Sequence, residues 1–106
     1  MIVLVESNYP GTKAEEAATV WMDYLKKNPP PEYAKIIDLY AFAAGDGIRV
    51  LLFYDIVKGK EEDGVKYVAK GAVNSLRSIE GYKAEVRVVY NLAEAFEFLG
   101  MAPPKV

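Results

Sequence analysis

Four side chains in the central part of the sequence could together carry acid–base chemistry. Asp38, Tyr40, Arg49 and Asp55 fall in two β-favouring runs that are separated by a turn. A carboxylate that loses water in an apolar setting has a raised pKa and can act as a base. Tyr40 could donate a hydrogen bond to a developing oxyanion, and Arg49 could bind an acidic group. With the neighbouring Phe53, these residues are the candidate ligand-binding set.

The same charges have a second interpretation. They could form salt bridges around the rim of a dry interface between two subunits. We favour this interpretation, because paired opposite charges at the ends of an apolar patch need no substrate. The catalytic residues therefore stay unknown, and the sequence leaves open whether the protein is an enzyme.

Composition excludes several kinds of site. The sequence contains no histidine and no cysteine, which removes the commonest general base, the commonest metal ligand and all thiolate chemistry. We expect no metal and no cofactor. Thirteen basic and fifteen acidic residues give a net charge of −2, so electrostatics favours neither nucleic acid nor an anionic membrane as a partner. Abundant Lys, Glu and Tyr without Gln is weakly typical of thermophile proteins.

Length and hydropathy predict one domain that stays in the cytoplasm. A chain of 106 residues fits a single domain, which we place at residues 1–100, with 101–106 as a C-terminal tail. The first residues, MIVLVES, lack the basic start and cleavage site of a signal peptide. Every apolar run of 18 or more residues is interrupted by charge, so we expect no membrane span.

Hydrophobic periodicity predicts the elements that position the candidate residues. Residues 1–7 are typical of a buried strand, and residues 82–90 alternate as a half-buried strand does. Thr12 and Glu15 form a capping-box pattern before a helix that ends near Lys27. Two β-favouring runs, 34–44 and 48–57, flank a hairpin turn at Gly45-Asp46-Gly47. A second helix is predicted for residues 61–79.

A last short helix is predicted after Asn91, which forms a capping box with Glu94. It ends at Gly100, and we expect it to bury four apolar side chains: Leu92, Ala95, Phe96 and Leu99. Together the elements predict an α+β fold, the ferredoxin-like plait, βαββαβ, with antiparallel sheet order 4-1-3-2 and a short extra C-terminal helix. Both long helices then cover one face of the sheet.

The hairpin register decides which side chains share the uncovered face. If Ala44 pairs with Gly47, the pairs opposite each other are Phe42 and Arg49, Tyr40 and Leu51, Asp38 and Phe53, and Ile36 and Asp55. We expect Glu6 between Arg49 and Lys83 at one end of this face, and Asp55 near Arg87 at the other. Monomers avoid contiguous exposed apolar patches, and symmetric dimers are the commonest assembly. A homodimer is therefore predicted, with these interface residues: Leu4, Tyr40, Phe42, Leu51 and Phe53.

The order of elements, the long hairpin and the amphipathic open face resemble the dimeric α/β-barrel superfamily of the ferredoxin-like fold. The resemblance covers nearly the whole chain at the level of topology and patterning. Its members include cofactor-independent monooxygenases, haem-degrading enzymes and isomerase-like enzymes. Several of these use a histidine, so its absence here argues against haem binding or a histidine base.

Three function classes remain open. The first is a homodimer that binds a small apolar or aromatic molecule between its two sheets. The second is a cofactor-independent enzyme, monooxygenase-like or isomerase-like, on the same scaffold. The third is a regulatory or structural subunit, because Asn8-Tyr9-Pro10-Gly11 resembles the strand-to-helix loop of amino-acid-binding ACT domains, where a helix start can hold an anion.

Overall fold

Residues 1–105 are described by a computed structural model, and their elements follow the predicted order. The strands are β1 (Ile2–Tyr9), β2 (Ala34–Ala44), β3 (Gly47–Ile56) and β4 (Lys83–Val89). The helices are α1 (Ala14–Lys27), α2 (Glu61–Asn74) and α3 (Leu92–Phe98). Within residues 1–105, none of the helices is long and apolar enough to span a bilayer. Val106, the end of the predicted tail, lies outside the described residues.

The four strands form one antiparallel sheet with the order β2-β3-β1-β4. Read from the other edge, this is the predicted order 4-1-3-2. The helices α1 and α2 lie over the same face, because both line one cavity with residues of β1, β2 and β3. The prediction of a ferredoxin-like plait with a short C-terminal helix is confirmed.

The capping box predicted at Thr12 is wrong. The strand β1 continues to Tyr9, which pairs with Ile48, and thereby takes up part of the predicted turn. A single 3₁₀ turn, Gly11–Lys13, follows, so α1 begins at Ala14 with Lys13 at its cap position. The capping box at the last helix is confirmed, since the amide of Glu94 donates to Asn91 Oδ1 at 2.8 Å and the amide of Asn91 donates to Glu94 Oε1 at 3.1 Å.

The second helix is shorter than predicted. It ends at Asn74, and tighter i−3 turns replace it, with the amide of Ile79 bonded to the carbonyl of Leu76 at 2.9 Å. Leu76 and Ile79 remain buried all the same. The hydrophobic spacing therefore identified side chains that face the core, and the backbone between them left the helix.

A β-bulge at Ile37 changes which face part of β2 presents. The predicted pairs from Ala44 to Asp38 are confirmed, but the pairing shifts between Ile36 and Asp38. Ile36 lies opposite Tyr54 and packs on the helix side, so its predicted place opposite Asp55 is wrong. An extra residue on one strand moves every following side chain to the other face.

The burial predicted for α3 is also wrong within a single chain. Leu92 is exposed, Leu99 is 70% exposed, and Ala95 and Phe96 are only half-buried. The helix follows the edge strand β4, where the chain offers little surface to cover it. One contact made there is the edge-to-face stacking of Tyr90 and Phe98, whose ring centroids lie 4.7 Å apart.

Two clusters of buried residues form the interior. The larger joins the middle of the sheet to α2, and the smaller joins the start of α1 to the segment after α2. Trp21 packs against both clusters. Most domains of this size have one contiguous core, so the division marks a place where the helix layer leaves space above the sheet.

Candidate functional site

The open face of the sheet, opposite α1 and α2, carries four rows of side chains. Each row crosses the strands in the order β2, β3, β1, β4. The rows are Phe42, Arg49, Asn8 and Lys83; Tyr40, Leu51, Glu6 and Glu85; Asp38, Phe53, Leu4 and Arg87; and Lys35, Asp55, Ile2 and Val89. The apolar members form a diagonal strip across the sheet, which we call the apolar strip: Phe42, Tyr40, Leu51, Phe53, Leu4, Ile2 and Val89.

The apolar strip includes all five residues predicted for the dimer interface. Its middle is the better packed part, because Leu4 is 9% exposed and the rings of Tyr40 and Phe53 meet edge to face at 6.3 Å. Its β2 end is open, since Tyr40 is 55% exposed and Phe42 is also exposed. The strip is therefore an apolar surface without cover in the single chain.

The ion pairs predicted on this face are wrong. Asn8, not Glu6, lies between Arg49 and Lys83. The register of β1 against its two neighbours differs by two residues from the predicted one, so Glu6 lies between Leu51 and Glu85. Glu6 pairs instead with Arg87, with 3.2 Å between Glu6 Oε1 and Arg87 Nη1.

Three further charged side chains on the open face have local partners. Arg49 Nη2 lies 3.3 Å from Asp46 Oδ1, and Asp55 Oδ1 lies 3.9 Å from the amino group of Met1. A hydrogen bond from Arg87 holds the pKa of the Glu85 carboxyl below its usual range. These pairs lie at the surface, where ion pairs contribute little to stability.

The five predicted ligand-binding residues do not form one site in a single chain. Asp38, Tyr40 and Phe53 are neighbours, since Asp38 lies opposite Phe53 and Tyr40 contacts the same ring. Arg49 and Asp55 lie six residues apart on β3, which is about 20 Å along a strand. Their chemistry could therefore meet one small molecule only if a partner brought further groups to this face.

A different concavity lies on the helix side of the sheet. It has a volume of about 240 Å³ between α1, α2 and the strands β1, β2 and β3. We call it the helix-side cavity, and its lining residues are Val5, Ser7, Tyr9, Ala17, Ala18, Trp21, Tyr24, Leu25, Leu39, Ala41, Val50, Leu52, Tyr54, Tyr67, Val68, Gly71, Ala72, Ser75, Leu76 and Tyr82. Leu39 and Ala41 remain exposed, so the cavity opens beside the edge strand β2.

Small residues on the two helices explain the cavity. The sides of α1 and α2 that face each other and the sheet carry Ala17, Ala18, Gly71 and Ala72. A helix axis packs about 10 Å from its neighbours, and methyl groups or hydrogens at the contact leave that distance unfilled. The two helices also bring larger side chains to the lining: Trp21, Tyr24, Leu25, Tyr67 and Val68.

Tyrosine side chains supply most of the polar atoms in the helix-side cavity. The rings of Tyr54 and Tyr67 meet edge to face at 6.1 Å, and the Tyr67 hydroxyl donates to the carbonyl of Asn28 at 3.3 Å. The Tyr82 hydroxyl donates to the carbonyl of Ala72 at 2.8 Å. Burial is the main cause that raises the pKa of Tyr54, and the nearby Tyr67 and Tyr24 raise it further.

Sequence reasoning missed this site. The helical spacing of Trp21 predicts a core residue, and an abundance of tyrosine by itself predicts no site. Two signals were available in the sequence: eight tyrosines in 106 residues, and helix stripes made largely of alanine and glycine. A stripe of small residues can either pack closely or leave a void, and periodicity alone does not distinguish these outcomes.

A second, polar cleft of about 470 Å³ lies at the turn end of the open face. Acidic and basic side chains alternate around it: Glu6, Asp46, Arg49, Lys83 and Glu85. The predicted ACT-like loop is at its edge, where an added Cβ on Gly81 would lie 2.9 Å from Cγ of Pro10. Among residues 1–105, no three acidic side chains are grouped in a way that could hold a metal ion.

Comparison with known proteins assigns no family to this chain. The sequence matches no known protein family and no curated protein. An uncharacterised NIPSNAP domain protein from Burkholderia xenovorans has a TM-score of 0.46 and 12% identity, over 85% of this chain and 95% of that chain. A formyltetrahydrofolate deformylase from Pseudomonas putida has a TM-score of 0.46 and 10% identity over 83% of this chain, which spans 28% of that protein. The assignment to the ferredoxin-like plait therefore rests on this chain's own sheet order.

Proposed function

We propose that this protein binds a small apolar, aromatic molecule in the helix-side cavity. The observation that carries the proposal is a partly enclosed space of about 240 Å³ whose lining is mostly apolar and aromatic, with hydroxyl groups and the indole N–H of Trp21 as its polar side-chain groups. Ligand sites are typically concave, mostly apolar and furnished with a few placed polar groups. An engineered apolar cavity of about 150 Å³ already binds benzene, so this one has room for a fused two-ring system.

The energetics of an unfilled core support the proposal. At about 24 cal/mol per Å³, a closed and empty void of 240 Å³ would cost about 6 kcal/mol, which is an upper bound for this cavity because it opens beside β2. A domain of this size is stable by only about 5–15 kcal/mol in total. A ligand that fills the space would recover part of this cost, and it would stabilise the folded chain in proportion to its concentration.

Filling the cavity with side chains tests the proposal. We expect Ala72→Leu and Ala18→Leu each to weaken the binding of naphthalene at least tenfold, because the added carbons occupy the ligand's space. Ala72 is buried in α2, and Ala18 is exposed on α1, so the second variant keeps the test valid if the first one overpacks. Val73→Leu is the matched control, since Val73 is 66% exposed on the outer side of α2.

Binding is measured by isothermal titration calorimetry and by the indole N–H resonance of Trp21. This is the only tryptophan in the sequence and it lines the cavity, so its single resonance reports occupancy without assignment of the spectrum. Naphthalene binding that is equal in wild type, Ala72→Leu and Ala18→Leu would contradict the proposed site.

We also propose that two copies of the chain pair through the open face. The chain exposes 7240 Å², whereas a monomer of its mass, 11.8 kDa, exposes about 5,900 Å². The exposed C-terminal segment accounts for part of the excess. The whole excess, about 1,300 Å², is larger than the roughly 800 Å² that each partner buries in a standard interface, and the apolar strip is the surface that a second copy would cover.

Charges on the two sides of the apolar strip favour a second copy as the partner. One side carries three cations and two anions: Arg49, Lys83, Arg87, Glu6 and Glu85. The other side carries two anions and one cation: Asp38, Asp55 and Lys35. A twofold axis along the strip places the basic side of one copy against the acidic side of the other, which is the complementarity that selects a partner.

A ligand site between the two sheets of this dimer stays a second candidate. Asp38, Tyr40 and Phe53 are adjacent on the open face, and a second copy would double this set around a shared space. The cofactor-independent enzyme belongs to the same arrangement, because the exposed carboxylate of Asp38 would lose its water only under a partner. The helix-side cavity needs no partner, and for this reason it is the better supported site.

A further inference from the structure

Six of the hydroxyl groups that line the helix-side cavity fall into two groups, and the hydroxyl of Tyr9 and the indole N–H of Trp21 are the other polar side-chain groups of the lining. One group holds three phenol hydroxyls, from Tyr24, Tyr54 and Tyr67. The other group holds the hydroxyls of Ser7, Ser75 and Tyr82. Between them the lining is apolar, with Val5 and Leu52 paired on the sheet side.

Two different elements give the same distance between these groups. On the sheet, Tyr54 lies opposite Val3, and Ser7 follows four residues further along β1, which is about 13 Å at 3.3 Å per residue. Tyr67 of α2 and Ser75, the residue that caps its C-terminal end, are eight residues apart, which is about 12 Å between their backbone positions at 1.5 Å per residue. The backbone positions that carry the two groups are therefore about 12–13 Å apart, on the sheet and along the helix alike.

The hydroxyl group of Tyr54 makes no hydrogen bond within the described residues. The residue is 6% exposed, and among residues 1–105 its hydroxyl has no hydrogen-bond partner. The oxygen keeps some accessible surface, which the cavity provides. Buried polar groups are almost always hydrogen-bonded, so a ligand atom that pairs with Tyr54 would complete the site.

Charge is missing from the lining. The twenty described residues that line the cavity include none of Asp, Glu, Lys or Arg. An ionised ligand would give up its hydration without gaining a counter-ion, and this is the most costly way to bury a group. Burial also raises the pKa of Tyr54 and of Tyr82, so both phenols stay protonated at neutral pH. Tyr54 can then donate a hydrogen bond to a ligand, whereas Tyr82 already donates to the carbonyl of Ala72 and can only accept one.

We propose that the ligand is an uncharged, elongated aromatic molecule that carries a hydroxyl or carbonyl group at each end. One end is recognised by Tyr24, Tyr54 and Tyr67, and the other by Ser7, Ser75 and Tyr82. This inference rests on the proposed function, since it names the ligand class for the same cavity.

Three probes with one ring system separate the inference from the proposed function. They are naphthalene, naphthalene-2,6-diol and naphthalene-2,6-dicarboxylate, titrated into the full chain by calorimetry with the Trp21 resonance as a second readout. We expect the diol to bind roughly tenfold more tightly than naphthalene, the gain of about one well-placed hydrogen bond. The dicarboxylate is expected to bind at least a hundredfold more weakly than the diol.

A conservative variant, Tyr54→Phe, tests whether the Tyr54 hydroxyl forms a hydrogen bond with the ligand. Tyr54→Phe should reduce the affinity for the diol severalfold and leave that for naphthalene unchanged, whereas Tyr90→Phe, at an exposed tyrosine outside the cavity, should change neither. Equal binding of diol and naphthalene, or tight binding of the dicarboxylate, would overturn the inference while the proposed function stands. If none of the three probes binds, the proposed function fails and the inference fails with it.

Discussion

Tyr54 is the residue on which the cavity's chemistry depends most directly. Its ring belongs to the larger buried cluster, while its hydroxyl faces unfilled space. Burial raises its pKa in the folded protein, and the unfolded chain has an ordinary tyrosine pKa of about 10. The unfolded state therefore loses the proton first as pH rises, so the contribution of Tyr54 to stability is complete below about pH 10 and declines above it.

We expect Tyr54→Phe to make alkaline unfolding less steep. One proton retained only by the folded state gives a slope of about 1.4 kcal/mol per pH unit, and the variant removes one such contribution above about pH 10. Tyr67 and Tyr82 have pKa values raised in the same direction, so a slope remains. The measurement is the free energy of unfolding in urea from pH 8 to 11. An unchanged slope in the variant would show that Tyr54 is not buried as described.

The helix α2 carries two glycines whose surroundings differ. An added Cβ at Gly71 would lie 3.9 Å from the Tyr24 hydroxyl, an ordinary contact at the edge of the cavity. An added Cβ at Gly64 would overlap the side chain of Ile56, where α2 rests directly on β3. The helix thus approaches the sheet closely at its first turn and stands above the cavity at its third.

We expect Gly71→Ala and Gly64→Ala to change stability in opposite directions. Gly71→Ala should stabilise the protein by about 0.5–1 kcal/mol, because alanine loses less entropy than glycine in a helix and meets no obstacle. Gly64→Ala should destabilise it by about 1–3 kcal/mol, because overpacking outweighs the same helix gain. Urea unfolding of both variants measures the difference. Two changes of the same sign would contradict the packing of α2 on the sheet.

The whole molecule is long and thin for its length. Its extents are 46 × 32 × 18 Å, and its radius of gyration is 15.4 Å, against about 13 Å for a globular chain of this length. One sheet and one helix layer account for the short dimension. A second copy on the open face would add two layers and give the apolar strip a cover.

We expect wild type to have a solution mass near twice 11.8 kDa, and Phe53→Lys to have the mass of a single chain. Phe53 lies at the middle of the apolar strip, and a buried lysine there would lose hydration in both copies. Size-exclusion chromatography with light scattering measures the mass, and circular dichroism checks that the variant folds. Val73→Lys, on the outer side of α2, is the control and should leave the mass unchanged.

Two results would contradict the proposed dimer. The first is a wild-type mass of a single chain over a range of concentrations. The second is a Phe53→Lys protein that keeps twice the mass and unchanged stability, which would show that the copies meet elsewhere.

The sequence determined the order of elements, the sheet order and most of the hairpin register. Alternating and helical hydrophobic patterns are local, and the turn at Gly45-Asp46 fixed how Phe42, Tyr40 and Asp38 pair with β3. The apolar strip followed from that register. The predicted face failed at Ile36, because a bulge depends on how a strand twists against its neighbours, and the residues themselves carry no signal of it.

Only the tertiary structure decided where the chain leaves space. Ala17, Ala18, Gly71 and Ala72 belong to stripes that periodicity assigns to a packed core, and whether such stripes close or stay apart depends on what the facing elements bring. Here Trp21 and the tyrosines hold the helix layer above the sheet, so the cavity lies on the helix side. Packing is a property of three elements at once, and this is why pattern along one chain could predict the faces and not the void between them.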